Sequence, residues 1–237
     1  KSKPLIIFIF IFFYIHQSFA EDLSKPIVDE YVVFQESGGM VVVEAEHFFK
    51  QEKTEKRAWY LTTKDMQSGL QPDADKNNVA GASGGAYMEI PPDTRKNHSE
   101  KLIKGENFIN EPGEMAVLSY KINFQTPGRY YVWARIFSTN AEDNGVHVGI
   151  DGKWPESGQR MQWTAKRHWA WGSKQRTEEV HVGVAGILFL NIDNPGEHVI
   201  QFSMREDGFE FDQFMMTTDK GFEMPSGPLQ PSPLASR

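Results

Sequence analysis

Arg129-Tyr130-Tyr131-Val132-Trp133-Ala134-Arg135-Ile136-Phe137 follows directly on Thr126-Pro127-Gly128. In this stretch aromatic and aliphatic residues alternate with polar ones, a period of two that turns one face of an extended chain toward apolar neighbours. Aromatic and β-branched side chains suit a pleated surface, and Pro-Gly marks where the strand begins. The same pattern recurs on both sides. Upstream lie Val41-Val42-Val43-Glu44-Ala45-Glu46 and residues 115–124; downstream lie Gly145–Ile150 with its Asp151-Gly152 turn, residues 180–184, 187–192, 198–204 and 209–217. No long stretch carries a clean helical period. Short β-rich runs broken by Gly, Pro, Asn and Asp predict an all-β fold: a β-sandwich (jelly roll) of two antiparallel sheets with long loops.

Two segments interrupt the rhythm. Residues 91–113 are charged and hold Pro91-Pro92 and Pro112-Gly113; residues 153–176 are rich in Trp, Arg and Lys. Both read as long loops, and long loops in compact domains are often functional. The ends read differently again. Lys1 and Lys3, an apolar run from Leu5 to Ile15, and Ser18-Phe19-Ala20 have the order of a secretory signal over residues 1–20, too short an apolar run for stable membrane insertion. Residues 21–36 then form an N-terminal extension, 37–219 the sandwich, and the Pro/Ser-rich 220–237 a linker or disordered tail. The expected location is secreted: extracellular, cell-surface or periplasmic.

The 237 residues include no cysteine, so a disulfide framework is excluded even though export would permit one. Without Lys1 and Lys3, the balance of 25 basic and 32 acidic residues becomes 23 and 32, a formal charge of −9. Such an acidic chain is a poor general nucleic-acid binder, because phosphate neutralisation needs clustered cations.

Three patches, in order, resemble families 6 and 35 of the carbohydrate-binding modules. They are Val43-Glu44-Ala45-Glu46-His47-Phe48; Gly84-Gly85-Ala86-Tyr87-Met88-Glu89-Ile90 with the strand beginning at Arg129; and Pro195-Gly196-Glu197-His198 leading to Gly208-Phe209-Glu210-Phe211-Asp212. They run from about Val41 to Thr218. The two long loops fit neither family, so the resemblance is to a divergent or separate family on the same fold. It implies a polysaccharide-binding domain, with a catalytic domain in the same polypeptide as a possible companion.

Glu44 and Glu46 lie two apart on a strand and share a face, where two carboxylates repel unless a cation or proton separates them. Spacing alone reads as a solvated acidic edge. The resemblance implies a structural Ca²⁺ held by Glu44, Glu46 and Asp212, a donor set of the oxygen type calcium prefers. It also puts Trp171 or Trp169 at the stacking position and Tyr87 on the second wall of a cleft. Glu210 stands where the families carry Asn, which puts a neutral xylan or glucan ligand in doubt.

Pyranose faces stack on indole and phenol rings, and hydroxyls take fixed polar partners. Trp163, Trp169 and Trp171 crowd one segment flanked by Lys, Arg, His and Gly, and exposure is expected for them. Arg160, Lys166, Arg167, Lys174 and Arg176 share that segment. A guanidinium fork grips carboxylate or sulfate, so the pattern points to an anionic polysaccharide, a uronate or a sulfated galactan. A charged loop partly paired with Glu178 and Glu179 is the plainer alternative. Asn144, Arg205, Glu206 and Asp207 are further polar candidates, or simple turn chemistry.

The function expected is non-catalytic polysaccharide binding. One rival is a β-sandwich lyase or glycosidase, with Tyr87, His147 or His168 and Arg160 as catalytic groups. Another is a secreted protein-interaction or adhesion domain. The seven histidines show no metal spacing, and no Gly-x-Ser-x-Gly, His-Glu-x-x-His or phosphate-loop motif occurs.

Overall fold

The protein is described here by a computed structural model over residues 21–73 and 76–236; the expected signal segment lies outside the described residues. The strands are β1 (Phe34–Gln35), β2 (Met40–Glu44), β3 (Lys50–Glu52), β4 (Tyr60–Thr63), β5 (Ala86–Glu89), β6 (Val117–Phe124), β7 (Gly128–Phe137) and β8 (Gly145–Ile150). They continue as β9 (Met161–Gln162), β10 (Ala170–Gly172), β11 (Lys174–Gln175), β12 (Val184–Ala185), β13 (Phe189–Ile192), β14 (Gly196–Met204) and β15 (Glu210–Thr217). One sheet runs β1-β6-β14-β8-β9-β11-β12, with β3 also paired to β6. The other runs β10-β7-β15-β5-β4, with β13 beside β7 and β2 beside β15. All pairings are antiparallel except β1 with β6. The expected β-sandwich of two antiparallel sheets is what the chain forms.

The alternation in β7 decides which way each side chain faces. Tyr130, Val132, Ala134 and Ile136 point inward and join Phe202, Phe211 and Phe214 in one core between the sheets. Fully burying such side chains contributes roughly 1.5–3 kcal/mol each relative to exposure. The opposite face of β7 carries Trp133, Arg135 and Phe137, which are not core residues of the sandwich. Trp133 meets Phe222, and Phe137 meets Trp169 in an edge-to-face contact.

That outer face is roofed, which corrects the expectation of a linker or disordered tail at 220–237. Phe222 and Leu229 pack on a second apolar cluster of Val42, Trp171 and Met215. The backbone N–H groups of Leu229, Ser232 and Ala235 donate to Gln213 Oε1, the Val42 carbonyl and the Val33 carbonyl. The Pro and Ser residues keep the segment extended, and apolar side chains fix it in place.

Other differences are local. Residues 180–183 form a turn, and of the expected 180–184 strand only Val184 enters a ladder, together with Ala185. The 153–176 segment contains β9, β10 and β11. Residues 91–113 are loop, but pinned: Asp207 accepts from Arg57, Thr94 N and Thr94 Oγ1. Arg95 pairs with buried Glu142.

Candidate functional site

The last strand is irregular where its chemistry lies. The β15–β7 register shifts between Phe211 and Gln213, so Asp212 is an extra residue in the ladder. A bulge re-aims a side chain. Here the Asp212 carboxylate accepts from Ser83 N at 2.7 Å and pairs with the Arg135 guanidinium. Ser83 opens a tight turn through Gly84, whose φ of +61° is one that only glycine adopts freely. The Ser83 hydroxyl donates to Glu44 Oε1 at 2.7 Å, and Gln213 Nε2 donates to the same oxygen at 3.0 Å.

Glu44, Glu46 and Asp212 are thus drawn together as expected, and all three are buried. Burial, and then the Asp212 charge, raises Glu44; burial, Glu44 and Asp212 raise Glu46 to about 8. Burial raises Asp212 as well, against the opposing Arg135 charge. Glu44 Oε2 and Glu46 Oε2 are buried with no hydrogen-bond donor. Two buried, unmet carboxylate oxygens whose charges act on one another are the donor type a hard cation such as Ca²⁺ takes. Asp212 differs from the expected role, because both its oxygens already have donors in Ser83 and Arg135. Among the described residues no group of three His, Cys, Asp or Glu stands in the arrangement of a metal site. The fit therefore lies with the Glu44–Glu46 pair, with Asp212 beside it.

Arg135 also joins this cluster to the aromatic residues. Its Nη1 donates to Gly81 O at 3.0 Å, and its guanidinium lies 5.6 Å from the Trp169 ring centre. Trp169 stands edge-on to Tyr87 at 5.3 Å and donates from Nε1 to Asn78 O at 2.8 Å. Asn78 Nδ2 donates to both Glu210 oxygens, at 3.1 and 2.9 Å. Tyr87 is 1 % exposed and Glu210 is buried, so neither forms an open cleft wall. Trp169 is half-buried and lids them.

The expected exposure of the other indoles is corrected too. Trp163 is 2 % exposed and belongs to the sandwich core, 6.1 Å from Phe209. Gly172 permits this, since a Cβ there would come within 2.7 Å of the Trp163 ring. Trp171 is 3 % exposed because the tail covers it, and its Nε1 donates to Gly227 O at 2.8 Å. Trp133, Trp163 and Trp171 nevertheless line a cleft of about 360 Å³ with Lys174 and Met224.

Arg160 and Arg176 lie elsewhere, in a groove of about 670 Å³ that also holds Arg205. Arg160 pairs with Glu156, and Arg176 Nη1 donates to His181 O at 3.0 Å. Buried Asn144 accepts from Gln162 Nε2, and its N–H donates to Glu206 Oε2 at 3.0 Å. The candidate binding residues therefore form two groups, Tyr87–Trp169–Glu210 and the residues of the 144–176 grooves.

Of the expected catalytic groups, His147 and Tyr87 are sealed from solvent, while His168 is exposed on the surface. His147 is fully buried, and burial holds it down to about 3. Its Nδ1 accepts from Arg160 N at 3.1 Å and its Nε2 faces Ile109 O at 3.3 Å, which fixes a neutral ring. Burial and the Glu210 charge raise the Tyr87 hydroxyl far above its ordinary value. Ser83, Asn78 and Arg135 were not singled out from sequence. Only the polar break at Arg135 within an aromatic strand hinted at a role.

Fold and site together define a two-sheet β-sandwich module with a buried carboxylate cluster and adjoining aromatic and cationic grooves. The chain belongs to the glycosyl hydrolase family 115 C-terminal domain family, whose profile matches residues 33–230. It is 51% identical over 227 residues to the uncharacterized protein P23 of Formosa agariphila, covering 94% of this chain and 54% of that protein. The chain thus spans about half the length of that curated relative. Among solved structures, a family 35 carbohydrate-binding module from Paenibacillus barcinonensis aligns at 14% identity, covering 75% of this chain and 98% of that one, with a TM-score of 0.42. One from Clostridium thermocellum aligns at 14% over 76% of this chain and 98% of that one, with a TM-score of 0.40.

Proposed function

We propose that this domain binds polysaccharide without cleaving it, alongside a glycoside-cleaving domain in the same secreted polypeptide. The observation that carries the reading is the aromatic-edged cleft at Trp163 and Trp171, which adjoins the cations of the 160–176 segment. Indole ring faces suit the C–H faces of a pyranose, and guanidinium and ammonium groups suit an anionic polymer such as a uronate or a sulfated galactan. Membership of a C-terminal domain family of a glycosyl hydrolase supports the pairing with an enzyme. The sealed positions of Tyr87 and His147 weigh against catalysis by this domain itself.

The same proposal includes a structural Ca²⁺ on Glu44 and Glu46, supported by their two unmet, buried oxygens. It would neutralise the pair and tie β2 to the Ser83 turn. Affinity electrophoresis of the full chain against plant and algal polysaccharides, with and without chelator, tests the whole reading. Retardation by acidic gels is expected, with no reducing ends or unsaturated uronate released. Release of either product would support the enzyme rival. Migration unchanged in every gel would support a protein-interaction role.

A further inference from the structure

Three depressions share walls and run into one another. The first holds Arg160, Arg176, Arg205 and Gln175, with His181 at its side. The second, about 300 Å³, takes over Arg176 and His181 and adds Asn144, Gln162, Trp163 and Thr164. The third takes over Gln162, Trp163 and Thr164 and reaches Trp171 and Lys174. Joined through these shared walls they make a track in which Arg160, Arg176 and Arg205 are balanced by Glu156, Glu178 and Glu179 at one end and indoles line the other, away from the Tyr87–Trp169–Glu210 group.

Two buried polar atoms on this track lack partners. Arg205 is 4 % exposed, and its Nη1 pairs with Glu206, but its Nε–H has no acceptor. Gln162 donates to Asn144, but its buried Oε1 receives no donor. Buried polar groups are normally satisfied, so unmet ones in a concave wall call for a ligand atom. Phe108 lies 4.9 Å from the Arg205 guanidinium and supports its plane. Arg176 makes no ion pair among the described residues; burial, and then the nearby Arg205 charge, work against its own charge, with Glu206 opposing them. Two like charges held together favour an anion between them. The rim of the first depression carries Glu178 and Glu179, both exposed. Carboxylates there disfavour a bare inorganic anion but accept hydroxyl hydrogen bonds, so the complementary ligand is both anionic and polyhydroxylated.

We infer that this track is an acidic-oligosaccharide site, with a carboxylate or sulfate group on Arg205 and Arg176, a hydroxyl on Gln162 Oε1, and a further sugar ring against Trp163 and Trp171. The inference rests on the glycan-binding reading above and moves the ligand away from Trp169.

The test is an NMR titration of the full chain with trigalacturonate, its methyl ester and a sulfated galactan trisaccharide. Resonances of Trp163 Nε1–H, Trp169 Nε1–H and Arg176 Nε–H are followed. At least one anionic sugar is expected to shift the Trp163 and Arg176 signals, and the methyl ester to leave them in place. Arg176→Gln removes only an exposed contact to His181 and should weaken that binding on the order of tenfold. Which anion responds assigns carboxylate or sulfate. Shifts confined to Trp169, equal binding of the methyl ester, or an Arg176→Gln affinity equal to wild type would overturn the track while leaving glycan binding standing. No shifts with any of the three sugars would overturn both.

Discussion

Asp212, the extra residue in the β15 bulge, is gripped by the guanidinium of Arg135 from the neighbouring strand β7. Both side chains are almost wholly buried, and Glu44 and Glu46 crowd the same place. Arg135 is thus a cation that pairs with Asp212 and also offsets the charge of Glu44. Arg135→Met keeps the volume but strands Asp212 as an uncompensated buried charge. A loss of about 3–5 kcal/mol is expected, read from the urea midpoint. An unchanged midpoint would show that the pair has no structural weight.

The cation proposed for the Glu44–Glu46 pair would make stability depend on calcium. A ligand held only by the folded state at 100 times its Kd adds about 2.7 kcal/mol. Calcium is therefore expected to raise the Tm and chelation to lower it. Glu46→Gln should abolish the response. A Tm indifferent to both additions would remove the ion from these carboxylates.

His147 sets an acid limit. Its folded value of about 3 lies below the ordinary histidine value of 6.5, because burial disfavours the charged ring. A depressed histidine stabilises the fold fully above the unfolded value, and that contribution is lost as pH falls from about 6.5 toward 3. The full effect is on the order of 5 kcal/mol. His147→Gln should flatten the stability profile across that window. Parallel wild-type and variant curves would contradict the assignment.

Removing residues 222–237 should uncover Trp133 and Trp171. Loss of the Phe222 and Leu229 contacts is expected to cost about 2–4 kcal/mol. Tryptophan emission should shift to the red before unfolding. A truncated chain with wild-type midpoint and emission would show that the tail is not docked in solution.

The sandwich was legible because period-two alternation in β7, β14 and β15 survives as burial alternation or full burial in two packed sheets. The carboxylate cluster was legible in part: Glu44 ends β2 beside the strand that carries Asp212, but Glu46 lies beyond β2 in a turn and not on the expected strand face. What failed was exposure. A Trp flanked by charged residues reads as solvent-facing, but Trp163 turns into the core over Gly172, and Trp171 is covered by residues more than 50 positions later in the chain. Local pattern carries no information about such a distant roof. Arg205 was visible only as a polar turn candidate, because the ring that supports its guanidinium, Phe108, arrives from a segment about a hundred residues earlier.

The tail meets β1 through two hydrogen bonds, Gln35 N to Pro233 O and Ala235 N to Val33 O. Because the two segments run antiparallel, residues 33 and 235 emerge at the same end of the pairing. Mechanical tension applied across those two points therefore peels the contacts one at a time, as a zipper opens, instead of shearing them together. The tail lifts first under load, and the indoles beneath it meet water while the two sheets still hold.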